Sequence, residues 1–271
     1  MSLSPELDSK MRELRKIILE MQSMLVAYSG GVDSTFLLKI VKDVLSDNVV
    51  AVTAQSLVYP AGELKEAQEL AKTIGVEHIV IESNELDIPE FAQNTPDRCY
   101  YCRKVLFSKF NEIARQRGLK HVVDGCNLDD TADYRPGIRA ARETGVRSPL
   151  KEAKLTKEDI RKFSKQVGLS TWNKPSIACL ASRFPYGDRI TSEALAMVAE
   201  AEDYLYTLGF GQLRVRHHGT VSRIEVPAED MTAFLNNRLR TQIVDHLKAI
   251  GYTYVALDLQ GYRTGSMNET L

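Results

Sequence analysis

The chain has 271 residues, 44% apolar and 26% charged, with a net charge of −1. Such a composition belongs to a soluble globular protein with room for one large or two modest domains. It argues against a bulk electrostatic grip on nucleic acid, and no apolar run approaches the ~20 residues of a membrane helix. Four cysteines do not make a disulfide scaffold in a chain this long, and the polar start, residues 1–16, reads as neither secretory signal nor membrane anchor. A reducing, cytoplasmic setting is expected, where a C-x-x-C is metal-binding or redox-active.

Residues 7–21 carry Leu7, Met11, Leu14, Ile18 and Met21 at helical spacing and lead into an apolar strand, 24–28. A tight turn, 29–32, follows, and a helix opens at Asp33 or Ser34. Residues 49–53 form a short buried strand, and 59–62 a turn. The next helix has Leu64, Ala67, Leu70, Ala71 and Ile74 on one face and closes at Gly75. A strand at 78–82, a helix at 99–118 and a strand at 121–124 come next. Thr156-Lys-Glu-Asp159 reads as a capping box opening a helix that runs to Gly168. Strands alternating with helices over 24–170 predict a parallel, doubly wound α/β sheet. Its loops after Tyr28, Thr53 and Asp124 are expected to meet in one crevice beyond the strands' carboxyl ends.

Beyond a connecting loop the grammar changes. A helix at 192–208 precedes alternating strands at 212–217 and 222–226, a hairpin through Gly219. Helical patterns at 228–235 and 239–250 and a last strand at 254–259 complete a smaller α+β domain. The expected division is 1–175, a cysteine-bearing linker 176–190, and 191–271.

The sharpest motif is Ser29-Gly30-Gly31-Val32-Asp33-Ser34, set between an apolar strand and a helix. Glycines without a Cβ let an anion approach the backbone, and a helix N-terminus favours negative charge. Hydroxyls of Ser29, Ser34 and Thr35 add donors, so the turn is a phosphate cradle. No lysine follows the glycines, which excludes the kinase-type loop. A second cluster, Asp124-Gly125-x-Asn127-x-Asp129-Asp130, offers carboxylates for Mg²⁺, with Asp33 as another candidate contact. A polar helix-capping turn is its plainer reading.

Three cysteines stand in suggestive places: Cys99 and Cys102 in Arg98-Cys-Tyr-Tyr-Cys102, and Cys179 in Lys174-Pro-Ser-Ile-Ala-Cys179. With Cys126 or a histidine they could complete a zinc site, and three thiolates also suit a [4Fe–4S] cluster. Cys126 itself reads as a small buried filler. Arg214 and Arg216 alternate on a predicted strand and so share one face. Trp172 and the tyrosines read as packing residues, and His217 and His218 as strand-end residues.

The cradle motif resembles the pyrophosphate loop of the ATP-pyrophosphatase (PP-loop) superfamily, which splits ATP between the α- and β-phosphates. With Asp97-Arg-Cys-Tyr-Tyr-Cys-Arg-Lys104, Asp124 to Asp130, Asp133-Tyr-Arg-Pro-Gly137, the 175–187 loop and Gly261-Tyr-Arg-x-Gly-Ser-Met-Asn268, the chain resembles the LarE family over nearly its whole length. These are ATP-dependent sulfur transferases that build the nickel-pincer nucleotide of lactate racemase. The resemblance implies that the carboxylates of pyridinium-3,5-biscarboxylic acid mononucleotide, a small-molecule nucleotide, are adenylated and become thiocarboxylates. It places ATP at Ala27, Ser29, Gly30, Gly31, Asp33, Ser34, Thr53, Gly125, Asn127, Asp129 and Arg135, with Mg²⁺ at Asp33 and Asp129. The substrate phosphate falls to Arg214 and Arg216, with Arg183 beside them and Glu225 as a further metal candidate. Sulfur comes either from a [4Fe–4S] cluster on Cys99, Cys102 and Cys179, which this three-cysteine sequence favours, or from Cys179 itself, left as dehydroalanine. The family's hexamers imply a homo-oligomer. Competing readings are a tRNA-thiolation enzyme, an ammonia-using synthetase and a non-catalytic nucleotide sensor. Net charge and cysteine count weigh against the first, and the cysteine loop and arginine strand would be surplus in the others.

Overall fold

The structure is a computed structural model describing residues 5–131, 136–175, 178–263 and 265–270. In chain order the first elements are α1 (Pro5–Met21), β1 (Met24–Ala27), α2 (Val32–Leu45), β2 (Val49–Gln55), α3 (Ala61–Ile74), β3 (Glu77–Glu82), α4 (Pro89–Ala92), α5 (Arg98–Gln116) and β4 (His121–Val123). Then come α6 (Pro136–Glu143), α7 (Pro149–Glu152), α8 (Lys157–Gln166), α9 (Ser192–Thr207), β5 (Arg214–His218), β6 (Val221–Glu225), α10 (Asn237–Ile250) and β7 (Tyr254–Leu257).

The chain divides into two compact units. The first takes residues up to Ser56, Ala61–Ser83 and the chain from Cys99 to the connecting loop. Its sheet is parallel, in the order β3-β2-β1-β4. Side chains alternate between its faces, and a separate core lies on each. Met24, Val26 and Ala51 pack with Leu14, Phe36, Leu37 and Phe163 on one side. Leu25, Val50, Val52 and Val122 pack with Phe107 and Phe110 on the other. Burial on both faces is what a doubly wound sheet needs, and it explains the nearly continuous apolar runs of β1 and β2. Strand order reverses at β1, whose neighbours are β2 and β4, so the loops leaving β1 and β4 emerge side by side. The capping box forms as expected: the Thr156 hydroxyl accepts from the Asp159 N–H, and the Asp159 carboxylate accepts from the Thr156 N–H.

The second unit takes Leu57–Pro60, Asn84–Arg98 and the chain from Ala178. Here β5 and β6 form the hairpin expected through Gly219, whose φ of +61° suits glycine. β7 adds parallel to β6, and Leu205, Leu213, Val215, Ile224, Leu247 and Tyr252 form the core beneath. The expected first domain, 1–175, needs one correction. Residues 57–60 and 84–98 belong with the second unit because their polar groups are satisfied there. Val58 O accepts from Leu180 N at 2.8 Å. The fully buried Asn94 donates to Phe184 O (3.3 Å) and Pro185 O (2.5 Å), and its own carbonyl accepts from Gly187 N. Among the described residues no helix is long and apolar enough to cross a membrane.

Candidate active site

At the end of β1 the chain passes Ala27 and turns at Gly30, whose φ is +70°. A Cβ built there would lie 2.9 Å from the Ala67 Cβ, so the turn lies hard against α3. Ser29 and Ser34 hydroxyls meet at 3.0 Å, and the Ser34 hydroxyl also donates to Gly31 O. Gly31 is the N-cap of α2 and has no side chain to bond the helix's first amides, and its own N–H donates to Ser29 Oγ at 3.4 Å. A serine-lined turn before an uncapped helix start is chemically suited to phosphate oxygens.

Thr53 is tied to the same corner. Its hydroxyl donates to Tyr28 O at 2.6 Å and meets His78 Nε2 at 2.7 Å, so the imidazole Nε2–H must be the donor to it. Burial lowers the His78 pKa and keeps the ring neutral, while burial pushes the Tyr28 phenol up to about 12.

The loop after β4 packs directly onto this corner: a Cβ on Gly125 would lie 3.0 Å from Ser34 N. Its carboxylates are largely used in shaping it. Asp124 accepts from Ser148 Oγ and Cys126 N, Asn127 Oδ1 from the Asp129 and Asp130 N–H groups, and Asp129 from Lys157 N. Asp33 is different. One oxygen takes the Lys157 ammonium; the other, Oδ1, is buried without a partner. Burial raises its pKa first, opposed by Lys157 and reinforced by Asp130. An orphaned buried carboxylate oxygen at the mouth of a phosphate turn fits a Mg²⁺ ion shared with phosphate, a setting in which one or two protein carboxylates suffice. Lys157 escaped the sequence reading. The available signal was its charge: a lysine opening a helix at N1 opposes the dipole, a local conflict that marks functional positions.

The cysteines differ in setting. Cys99 is exposed and Cys102 buried at the start of α5, in the first unit. Cys126 is half-buried, and burial, then Asp124 and Asp130, push its thiol up to about 12, so it stays protonated. Cys179 is half-buried in the second unit. Its carbonyl accepts from Arg183 Nη1 at 3.1 Å, with the Ala178 carbonyl at 2.8 Å from the same nitrogen. Arg183, 1% exposed, grips Glu202 side-on through Nε (2.9 Å) and Nη2 (2.8 Å), and Glu202 also accepts from Val215 N. Glu202 is the other residue the sequence reading missed, because its partners lie on separate elements. Among the described residues no group of three or more His, Cys, Asp or Glu is arranged to hold a metal ion.

Arg214 and Arg216 are buried rather than solvated. Arg214 donates to Leu213 O and lies over the Tyr262 ring. Arg216 donates to Ser182 O at 2.9 Å and to Glu225 at 2.7 Å. Glu225, with no exposed surface, is thereby paired with Arg216 and Arg223, so arginines occupy the carboxylate considered for a metal. His217 packs between Phe184 and Tyr252, and His218 accepts from Arg223. Trp172 lies at the surface under Lys165. Arg135 lies outside the described residues.

Comparison with known proteins adds independent findings. The family described as Arginosuccinate synthase N-terminal HUP domain matches residues 23–170. An uncharacterized protein of Synechocystis sp. is 43% identical over 98% of this chain and 99% of its own. Pyridinium-3,5-bisthiocarboxylic acid mononucleotide synthase of Lactiplantibacillus plantarum is 41% identical over 98% of this chain and 96% of its own. Argininosuccinate synthase of Methanocaldococcus jannaschii is 27% identical over 53% of this chain and 40% of its own.

Proposed function

Because the chain belongs to the LarE family of PP-loop ATP pyrophosphatases, we propose that it is the ATP-dependent sulfurtransferase acting on pyridinium-3,5-biscarboxylic acid mononucleotide. It converts the two carboxylates to thiocarboxylates for the nickel-pincer cofactor of lactate racemase. One observation carries the reading. The turn bearing Cys179 is held by Arg183 at the Cys179 carbonyl and by Arg216 at the Ser182 carbonyl. A sulfur-bearing residue and a cationic phosphate seat thus share one hydrogen-bonded turn, for which a nucleotide sensor has no use.

The residues divide the work. Ser29, Gly30, Gly31, Ser34 and the start of α2 bind the β- and γ-phosphates, with Ala27, Thr53, Gly125, Asn127, Asp129 and Arg135 around the rest of ATP. Asp33 would hold Mg²⁺, which supplies charge neutralisation for departing pyrophosphate. Lys157 lies on the same carboxylate and adds a fixed positive charge. Arg214 and Arg216 seat the substrate phosphate, where guanidinium forks match the oxygens. A carboxylate oxygen attacks the α-phosphorus, the bond to pyrophosphate breaks, and AMP becomes a leaving group on the acyl carbon. The Cys179 thiolate then attacks that carbon and expels AMP. Loss of the Cys179 Cα proton with cleavage of its Cβ–S bond leaves sulfur on the product and dehydroalanine in the chain. A [4Fe–4S] cluster would need three gathered thiolates. The chain has Cys99, Cys102 and Cys179, which would hold such a cluster in the second reading, where it would supply the sulfur and spare the chain.

The test is anaerobic purification, iron and sulfide analysis, then turnover with ATP and substrate followed by intact mass. Pyrophosphate release that depends on substrate, with loss of one H₂S per chain, is the expected result. Cys179→Ala should still release pyrophosphate yet make no thiocarboxylate. About four irons per chain with multiple turnovers would overturn the sacrificial route in favour of a cluster, and no pyrophosphate would overturn the enzyme reading itself.

A further inference from the structure

The C-terminal motif Gly261-Tyr262-Arg263 to Gly265-Ser266-Met267 has so far no task. It lies on the face of the second unit's sheet that carries the arginines. In the antiparallel register Arg214 stands opposite Glu225 and Arg216 opposite Arg223, so all four share that face. The tail touches each of the three arginines. The Tyr262 ring lies under Arg214, Ser266 Oγ accepts from Arg216 Nη2 at 2.9 Å, and Met267 Sδ lies 3.7 Å from Arg223 Nη2. Gly261 admits the tail there: its φ is +73°, and a Cβ would lie 2.9 Å from Val226 O.

The hydrogen bonds of Arg216 single out one residue of this tail. Nη1 reaches Ser182 O, and Nη2 serves both Glu225 Oε2 and Ser266. Its Nε–H is buried with no partner, in a side chain 5% exposed. A buried guanidinium N–H without an acceptor is costly, so it either awaits one or is held away from one. The neighbouring pair shows the alternative: Arg183 grips Glu202 side-on through both Nε and Nη2. Arg216 does not grip Glu225 that way, because Glu225 Oε1 is already taken by the Ser266 hydroxyl (3.1 Å) and Arg223 (3.2 Å).

We propose that Ser266 is a positioning residue for the substrate phosphate: by occupying Glu225 Oε1 and bracing Arg216 Nη2, it keeps the Arg216 Nε–H turned out for a phosphate oxygen. The proposal rests on the reading of Arg216 as a phosphate ligand. Without the hydroxyl, Arg216 rotates onto Glu225 in the side-on grip of Arg183, and its Nε–H is quenched.

The initial rate of pyrophosphate release within one turnover, at varied substrate, tests this with four variants, KM being its half-saturating concentration. Ser266→Ala should raise the KM for the pyridinium mononucleotide about tenfold, with the KM for ATP and the melting temperature unchanged. Ser266→Thr should restore it. Because Ser266 acts through Arg216, the double variant Ser266→Ala/Arg216→Ala should be no worse than Arg216→Ala alone. An unchanged KM in Arg216→Ala overturns the phosphate assignment. A raised KM there with a normal Ser266→Ala, or additive losses in the double variant, overturns the role of Ser266 alone. In the unmodified protein, nicotinamide mononucleotide, which has the same pyridinium-ribose phosphate, should slow amide hydrogen exchange across residues 261–267. Unchanged exchange there would overturn the proposal independently of any variant's folding.

Discussion

Gly30→Ala puts a number on the fit of the phosphate turn. Gly30 sits at φ +70°, where an L-residue pays roughly 1–2 kcal/mol. The new Cβ would also stand 2.9 Å from the Ala67 Cβ, against the ~3.5–4.0 Å at which carbons pack comfortably. Ala67 is fully buried on α3, so the turn must give by about half an ångström or more. Overpacking of that kind costs about 1–3 kcal/mol, for a total of about 2–5 kcal/mol. Urea unfolding reads the loss, and the KM for ATP should rise at least tenfold because the displaced turn no longer matches the phosphates. The companion Gly30→Ala/Ala67→Gly removes the closest contact, leaving the backbone Cα of residue 67 at 3.2 Å, but keeps the φ penalty and adds about 1 kcal/mol for glycine in a helix. It should recover ATP binding better than stability. A Gly30→Ala protein within about 0.5 kcal/mol of the parent and with an unchanged KM for ATP would refute the reasoning.

Three further outcomes can be checked directly. Cys126, with its thiol at about 12, should react with iodoacetamide at pH 8 about a thousandfold more slowly than an ordinary exposed thiol, which peptide mapping reads against exposed Cys99. Equal labelling would contradict its burial. Glu202→Ala strands the buried Arg183 guanidinium and should cost about 3–5 kcal/mol in urea unfolding, a loss that a mild phenotype would disprove. Asp159 is pushed up by burial but pulled down further by hydrogen bonds from Lys10 and Thr156, so its folded pKa lies below the unfolded one. Its contribution is therefore present above about pH 4 and fades as pH falls through the lower folded value. Asp159→Ala should cost about 1–2 kcal/mol at pH 7 and progressively less in acid, and a pH-independent loss would argue against the ion pair.

Local grammar was enough where one stretch of chain carries the whole cause. The cradle between β1 and α2, the Thr156 capping box and the Gly219 hairpin each depend on neighbours a few residues apart, and they stand where the spacing put them. Their ends moved slightly: β2 continues to Gln55, and α2 begins at Val32. What escaped reading depends on distant partners. Lys157 meets Asp33 across 124 positions of chain, and nothing near either residue announces the pairing. Glu202 looked like an ordinary helical glutamate until Arg183 and Val215 were brought to it. The burial of Arg214 and Arg216 was equally hidden, since alternation on a strand gives a shared face and says nothing of what covers it. Here Tyr262 and Ser266, from the chain's far end, do part of the covering.

The brace formed by Asn94 carries a consequence for how the protein comes into being. Its side-chain amide reaches a carbonyl ninety positions further along the chain. At a synthesis rate of ~5–20 residues per second, the 84–98 segment leaves the ribosome some 5–20 s before its acceptors exist. Meanwhile the rest of the first unit, from Cys99 on, is being made. The second unit is therefore completed last although it is begun early, and the connection at Arg98 runs straight from its brace into the helix bearing Cys99. A gene fragment beginning at Ala178 would encode the arginine strand and the cysteine turn without the amide that pins the loop after them.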